Sequence, residues 1–326
     1  MFRDQSLLVT MNQAIEAHQM ISNMDLSSFD NKAKLAWTDC LELYEDTVDH
    51  LNRSLSSRNP IDSQTWLSAA IANQQTCKNG FIDFNLAYHL ESLPFMVMSN
   101  LSKLLTNSLA INKATVSSSY NTNKVGGRRL LADGFPRWVS AGDRRLLQSS
   151  RVQRQLILWC LRRRLYCQGH DIREYSRTAE TPSGGPPVGL RFLCLLQLQL
   201  QGLPRHLYVY SQRQFYRNCD IYGTIDFIFG DAVVVLQNCN IYVRKPMSNQ
   251  KNTVTAQART DPNENTGIVI HNSRVTAASD LGPLRGSFKT YLGRPWQKYS
   301  RTLFMKSNLD GLIDQQVGYH GVGILL

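Results

Sequence analysis

The run from Leu207 to Cys239 constrains the fold more than any other stretch of the 326-residue chain. Its sequence, LYVYSQRQFYRNCDIYGTIDFIFGDAVVVLQNC, surrounds the carboxylate of Asp226 with alternating β-branched and aromatic residues. A lone acid in such an apolar run is costly to bury unless it is paired, so it indicates a charge partner or a chemical role. Arg294, in the later motif YLGRPW, is the candidate partner. The run alone leaves one alternative open, a solvent-facing Asp at a strand end.

Residues 207–314 have the pattern of short strands separated by turns. The β-rich segments are Val233–Leu236, Ile241–Val243, Ile268–Ile270 and Thr302–Met305. Asparagines recur near the ends of these segments, where they suit tight turns, at Asn238, Asn240, Asn272 and Asn308. The pattern predicts the stacked coils of a parallel β-helix.

Residues 1–115 have helical periodicity. One predicted helix, capped by Asp30 or Asn31, carries its apolar residues at three- and four-residue steps: Trp37, Cys40, Leu41, Tyr44, Val48, Leu51 and Leu55. A second helix follows Pro60, with Ser63 as its candidate cap, and a third covers about 93–111. Periodicity alone supports a helical bundle of any kind.

Charge and cysteine content narrow the function classes. The net charge of +11 favours polyanionic partners. Nucleic acid is the competing polyanion, but the chain has neither zinc-finger spacing nor an aromatic–basic RNA motif.

Seven cysteines without a CxxC pair argue against a zinc site and suit an oxidising compartment. The chain has no run of 18 apolar residues, so we expect no transmembrane helix. Residues 1–10 are too polar for a secretory signal, and we expect a secreted protein whose N-terminus is incomplete.

The motifs QRQFY, GTIDFIFG and LGRPW together resemble the plant pectin methylesterases (pectinesterases), over roughly His206–Asp314. The resemblance implies that Asp226 is the nucleophile that attacks the methyl ester of galacturonate, and that Arg294 orients it. It also implies a sugar-binding groove and a disulfide beside the nucleophile. The residues that match these features are Trp296, Tyr208 and Phe229 for the groove, and Cys219 with Cys239 for the disulfide.

The segments DCLELYEDTVDHL and SAAIANQQTCKNGF resemble the C-terminal part of a pectinesterase-inhibitor-type domain. That family forms a four-helix bundle, and Cys40 and Cys77 match one of its disulfides. Its first helical hairpin is absent or shortened here. We therefore expect a partial bundle over residues 1–115 that exposes an apolar seam.

Residues 116–150 are predicted to be a linker, because serine, glycine and proline interrupt the periodicity. Arg-Arg-Leu-Leu occurs twice in it, at Arg128–Leu131 and Arg144–Leu147. The resemblance implies that a subtilisin-like protease cleaves here and separates the two domains, since an exposed dibasic site is readily cut. The processing residues would be Arg128, Arg129, Arg144 and Arg145. A solvated basic turn is the alternative.

Residues 151–206 differ from the rest of the chain, with nine Arg, no Lys and three acids. We find no clear amphipathicity in their run LCLLQLQLQGLP. Where the family has Gln-Asp-Thr, this chain has Pro204, Arg205 and His206. A shifted reading of codons for Gly-Tyr-Gln-Asp-Thr-Leu gives Leu-Pro-Arg-His, and restoring one base after Asp314 turns residues 315–326 into family-like sequence. We interpret both segments as out-of-frame translation.

These observations predict a multi-domain α + β chain, with a partial four-helix bundle followed by an incomplete right-handed parallel β-helix over residues 207–314. The predicted function is hydrolysis of methyl-esterified homogalacturonan by a secreted, monomeric cell-wall enzyme without cofactor or metal. We expect weak or no activity, because losing the general acid–base Asp costs about 10²–10⁴-fold in rate. The alternatives are a non-catalytic inhibitor-like binding protein and a nucleic-acid binder that rests on the Arg-rich segment 151–206.

Overall fold

The computed structural model describes residues 2–83, 85–92, 95–121 and 207–314, with the backbone of five short strands outside these ranges. The chain divides into two compact units, each described by itself: a helical unit of residues 1–126 and 261–265, and a β unit of residues 127–260 and 266–326. None of the helices in the described residues has a stretch long and apolar enough to cross a membrane.

The helical unit is a ring of four α-helices: α1 (Phe2–Ser22), α2 (Asn31–Ser56), α3 (Pro60–Asp83) and α4 (Phe95–Asn121). Both α1 and α3 pack against α2 and α4, so each helix has two neighbours. The expectation of a bundle that lacks a helix is therefore wrong. The periodicity did not predict α1 because its buried face is built largely from small residues: Leu7, Thr10, Ala14, Ala17 and Ile21. Apolar residues on its exposed face, such as Val9, blur the pattern further.

The other three predicted helices are present. Asp30 caps α2 as expected, because its side chain accepts a hydrogen bond of 2.7 Å from the Ala33 amide. The cap expected of Ser63 is wrong: α3 begins at Pro60, and Asn59 Oδ1 accepts the Ile61 amide at 3.0 Å. Ser63 lies within the helix, and its hydroxyl is directed at the Ser54 carbonyl.

A disulfide between Cys40 and Cys77 joins α2 to α3, as the resemblance implied. It closes a loop with a sequence separation of 37 residues, and both cysteines are buried. Closing a loop of this length restricts the unfolded chain, so the bond stabilises the helical unit.

The β unit is a parallel β-helix, as predicted. Outside the antiparallel pair β1 (Leu131–Ala132) and β2 (Phe135–Pro136), every pairing between strands that the structure describes is parallel. The chain visits three sheets in rotation, in the orders β5-β8-β11-β14, β3-β6-β9-β12-β15-β17 and β4-β7-β10-β13-β16. The strands are β3 (Phe192–Leu196), β4 (Gln199–Leu200), β5 (Leu207–Tyr208), β6 (Arg213–Arg217), β7 (Asp220–Gly223), β8 (Ile225–Gly230), β9 (Val233–Gln237), β10 (Asn240–Val243), β11 (Asn252–Gln257), β12 (Gly267–His271), β13 (Arg274–Ala277), β14 (Thr290–Gly293), β15 (Thr302–Met305), β16 (Asn308–Leu309) and β17 (Ile324–Leu325).

One corner of each coil is a single residue with left-handed backbone. These residues follow β6, β9, β12 and β15, with φ of 55°, 54°, 48° and 49°: Asn218, Asn238, Asn272 and Lys306. Asparagine tolerates this conformation, so Asn238 and Asn272 form tight turns as predicted. They are also joined by a side-chain hydrogen bond of 2.8 Å. Asn240 and Asn308 instead begin the next strands, β10 and β16.

The strand pairing extends the β-helix beyond the expected limits of 207–314. Within 151–206, β3 pairs with β6 and β4 pairs with β7, and within 315–326, β17 pairs with β15. β4 lies within a run of alternating Leu and Gln at 196–201, in which the sequence analysis found no clear amphipathicity. The question of out-of-frame translation is separate and stays a prediction.

Replacing both Cys40 and Cys77 by serine is expected to lower the free energy of unfolding of the helical unit by about 2–4 kcal/mol. Urea unfolding of the full chain, followed by circular dichroism at the helix minimum, measures the change. Cys219→Ser in the β unit is the control and is expected to leave the helical transition in place. An unchanged midpoint in the double variant would contradict a stabilising role for the bond.

Candidate functional site

Asp226 lies at a β-bulge in β8. Thr253 pairs with Ile225 and Thr255 pairs with Ile228, so two residues of β8, Asp226 and Phe227, stand opposite one residue of β11. Asp226 has a φ of 51°, the left-handed conformation that non-glycine residues seldom adopt. The bulge breaks the alternation of the strand, since Phe227 and Ile228 both enter the core. Asp226 therefore need not follow the in–out alternation that would otherwise tie its side-chain direction to those of Phe227 and Ile228.

The structure brings Arg294 onto Asp226, the partner that the sequence suggested. Arg294 Nε lies 2.8 Å from Oδ1 and 3.0 Å from Oδ2, and Nη2 lies 2.5 Å from Oδ2. The Asp226 side chain is 4% exposed and that of Arg294 40% exposed, so a buried carboxylate meets a guanidinium that reaches solvent. Such two-pronged contacts hold the carboxylate and the guanidinium in one plane relative to each other, and the guanidinium also compensates the carboxylate charge.

Backbone contacts place Arg294 at this point. It follows β14 directly, and its amide donates to the Thr255 carbonyl at 3.0 Å. The preceding residue, Gly293, lies so close to β11 that a Cβ there would be 2.2 Å from Thr255 Oγ1. Glycine is thus required in LGRPW for β14 to approach β11, and this approach carries the guanidinium to the carboxylate.

The third group on Asp226, Thr253, was missed by the sequence analysis. Its hydroxyl donates to Asp226 Oδ1 at 2.6 Å and accepts the Asp226 amide at 3.0 Å. Thr253 is buried in β11. A threonine in TVTAQ is what an ordinary strand would contain, so the sequence carries no signal for this role.

A row of half-buried aromatic rings crosses the same sheet. Tyr208 on β5 stacks on Phe229 on β8, with ring centroids 4.8 Å apart and planes 8° apart. Trp296 meets Phe229 at 5.8 Å and 60°, and Tyr210, which was not predicted, contacts Tyr208 at 5.4 Å. All three predicted groove residues are therefore brought together. Rings of this kind offer apolar faces on which the faces of sugar rings can lie.

Gln257 anchors the segment that carries Trp296. Its side-chain oxygen accepts the amides of Arg259 and Arg301 at 3.1 and 3.0 Å, and its backbone carbonyl accepts the Trp296 amide at 3.1 Å. Its side-chain nitrogen donates to the buried Asp231 at 3.1 Å. The loop after Arg294 is thus held against β11 by a buried amide, a second feature without a sequence signal.

The disulfide expected between Cys219 and Cys239 is absent: both residues are buried thiols in this structure. Each lies near a backbone carbonyl, that of Arg217 for Cys219 at 3.4 Å and that of Gln237 for Cys239 at 3.3 Å. The hydrogen bond with Cys219, followed by burial, raises the pKa of the Cys239 thiol well above its usual range. The thiolate, which is the form that reacts, is therefore disfavoured here.

Two sets of predicted residues fall outside the described part of the chain. They are the processing residues Arg128, Arg129, Arg144 and Arg145, and the segment Pro204–His206. Within the described ranges, no three of the His, Cys, Asp and Glu side chains are grouped as a metal site requires.

Comparisons with known proteins agree on one family. A family model described as "Pectinesterase" matches residues 189–321, and one described as "Plant invertase/pectin methylesterase inhibitor" matches residues 2–111. "Probable pectinesterase/pectinesterase inhibitor 17" of Arabidopsis thaliana is 37% identical over 386 residues, which covers 95% of this chain and 73% of that protein. "Pectinesterase 2" of Citrus sinensis is 35% identical over 388 residues, with the same coverage. Among solved structures, the pectin methylesterase from carrot is 56% identical over 38% of this chain and 39% of its own, with a TM-score of 0.37.

A double-mutant cycle with Arg294→Gln and Asp226→Asn tests the ion pair. Either single change leaves an unmatched partner in a buried site, so we expect a coupling in unfolding free energy of about 1–3 kcal/mol. The exposed pair Arg244–Asp280, at 3.1 Å with side chains 41% and 35% exposed, is the matched control. Its coupling should be below about 1 kcal/mol. Urea unfolding of the single and double variants gives both numbers, and equal couplings would show that burial adds nothing.

Proposed function

Because the chain belongs to the pectinesterase family, we propose that its β unit demethylates homogalacturonan in the plant cell wall, with Asp226 as the nucleophile. The observation that carries the proposal is the carboxylate of Asp226, held at a bulge by Arg294 and flanked by an aromatic row. A carboxylate fixed in this way meets the first need of a covalent ester hydrolysis, a nucleophile that is charged and aimed.

In the proposed reaction, an oxygen of Asp226 attacks the carbonyl carbon of the galacturonate methyl ester. The carbonyl oxygen becomes an oxyanion, which then collapses and expels methoxide. A general acid protonates the methoxide to methanol, and the sugar is left joined to Asp226 as an anhydride. A water molecule, deprotonated by the same group, attacks the sugar carbonyl and releases galacturonate and the free carboxylate. Arg294 pairs with the carboxylate of Asp226 before the attack and again after its release.

The aromatic row and the charge of the chain support pectin as the substrate. The rings of Tyr208, Phe229 and Trp296 lie along one sheet, which suits a chain of sugar rings bound across several coils. Each turnover adds a carboxylate to the polymer, and the net charge of +11 favours such a polyanion. Neither a cofactor nor a metal is required by this chemistry.

We further propose that activity of the chain as written is low. The resemblance assigns the general acid–base role to the Asp of Gln-Asp-Thr, where this chain has Pro204, Arg205 and His206. An arginine stays protonated near neutral pH and cannot exchange a proton in each cycle. The alignment with the Arabidopsis relative is 386 positions long but contains only 95% of the 326 residues of this chain. About a fifth of the aligned positions are therefore gaps in this chain.

Asp226→Asn is expected to remove whatever methanol release from methyl-esterified pectin the chain supports, because an amide is a poor nucleophile. Methanol is measured over time, and Asp220→Asn is the matched control. Asp220 lies on β7, in another sheet, where it accepts a hydrogen bond from Asn240 at 2.8 Å. If the native chain releases methanol above background, an equal rate for Asp226→Asn would rule out Asp226 as the nucleophile.

The triple variant Pro204→Gln, Arg205→Asp and His206→Thr tests the missing chemistry. Supplying a general acid–base group should raise methanol release by about 10²–10⁴-fold. Adding Asp226→Asn to the triple variant should abolish the gain. A native chain already as fast as the repaired one would refute the proposed deficiency.

A second candidate is inhibitory binding of another pectinesterase by the helical unit. The inhibitor family model covers residues 2–111. The sequence analysis expected a partial bundle, which would weigh against binding, but four helices pack in a closed ring. The Asp226→Asn chain separates the two functions. It should slow an active plant pectinesterase if the helical unit binds it, and leave that enzyme unaffected if it does not.

A further inference from the structure

We propose that Thr253 is a positioning residue that fixes the backbone and side-chain conformation of Asp226. The structural part of this inference concerns the conformation of Asp226 alone, whereas its kinetic part rests on the function proposed above.

The Thr253 hydroxyl is bound to Asp226 in two places. It accepts the backbone amide of Asp226 at 3.0 Å and donates to Oδ1 of the same residue at 2.6 Å. One oxygen therefore restrains both the left-handed backbone and the side-chain rotamer of the residue. The restraint is stiff, because Thr253 is β-branched, buried and part of β11.

Arg294 alone does not provide this restraint. Its side chain is long and 40% exposed, and it lies at the end of β14, so the guanidinium can follow a carboxylate that turns. The hydroxyl of Thr253 cannot follow, because its position is set by the strand pairing at Ile225. The threonine thus fixes the place of the carboxylate, and the arginine binds it there.

The arrangement distinguishes the two oxygens of Asp226. A hydroxyl has one proton, which Thr253 directs at Oδ1, and the single Nε proton of Arg294 lies nearer Oδ1, at 2.8 Å against 3.0 Å. Oδ1 is contacted by Thr253 and by Arg294 Nε, and Oδ2 is contacted by Arg294 Nε and Nη2. Thr253 therefore binds Oδ1 alone, whereas Arg294 binds both oxygens, so removing the threonine hydroxyl frees one side of the carboxylate.

Protection of Arg294 from phenylglyoxal tests the structural part without any need for activity. The reagent modifies guanidinium groups that are not engaged, and peptide mass spectrometry gives the rate at residue 294. Asp226→Ala supplies the unprotected reference rate. Thr253→Val should raise the rate several-fold toward this reference because the carboxylate is no longer held, while Thr253→Ser should stay within about twofold of the native chain.

Thr276→Val is the matched control. The Thr276 hydroxyl makes the same kind of contact, 2.9 Å to Asp310 Oδ2, but on a different sheet. Its removal should leave protection at Arg294 unchanged. Native-like protection in a folded Thr253→Val chain would overturn the inference. If Thr253→Val does not fold, loss of protection in Thr253→Ser, which keeps the hydroxyl, would overturn it equally.

The kinetic part is measured in the variant that carries Gln-Asp-Thr at 204–206. Thr253→Val should lower kcat by about 10–10²-fold and change KM less than twofold, since it misplaces the nucleophile without touching the sugar groove. Thr253→Ser should restore most of kcat. If Thr253→Val loses protection at Arg294 but the variant with Gln-Asp-Thr at 204–206 releases no methanol, the proposed function fails while the positioning role of Thr253 holds.

Discussion

The site depends on one unfavourable conformation, the left-handed backbone of Asp226 within a strand. Such a residue persists only where its surroundings hold it, and here the supports come from the two following coils. Thr253 on β11 binds its amide and carboxylate, and Arg294 after β14 binds both carboxylate oxygens. The groups are 27 and 68 residues from Asp226 in sequence, and only parallel stacking of successive coils makes them neighbours.

The same stacking separates the residues that hold the proposed nucleophile from the residues that would transfer protons during turnover. Asp226, Thr253, Arg294 and the anchor Gln257 all lie within the continuously described segment 207–314, where Thr253 and Arg294 contact Asp226 and Gln257 holds the loop after Arg294. The acid–base function that the family resemblance requires belongs to a position before Leu207, where this sequence departs from the family. A chain can therefore hold a well-formed nucleophile and still turn over slowly, because orientation and proton transfer lower the barrier by different routes.

The sequence predicted those parts of the site that conflict with their surroundings. An acid in GTIDFIFG and an arginine in LGRPW are out of place in apolar β-sequence, so both were found before the structure. Thr253 and Gln257 were missed because both are unremarkable in a strand and gain their roles only through register. Likewise α1 was missed because alanine and threonine line its buried face, and the disulfide taken from the resemblance, Cys219 with Cys239, is a pair of thiols here.

The nearest-neighbour character of a solenoid explains why a divergent upstream segment leaves the downstream site intact. Each coil contacts the coils directly before and after it, so stability is close to a sum of local terms. The corner residues Asn238, Asn272 and Lys306 keep a repeat of 34 residues, whereas the preceding coil spans 20, and the sheets remain in register across this change. Added length is taken up in loops between strands. A sequence change confined to one coil thus alters the chemistry that coil supplies without displacing the carboxylate, hydroxyl and guanidinium held by the coils that follow.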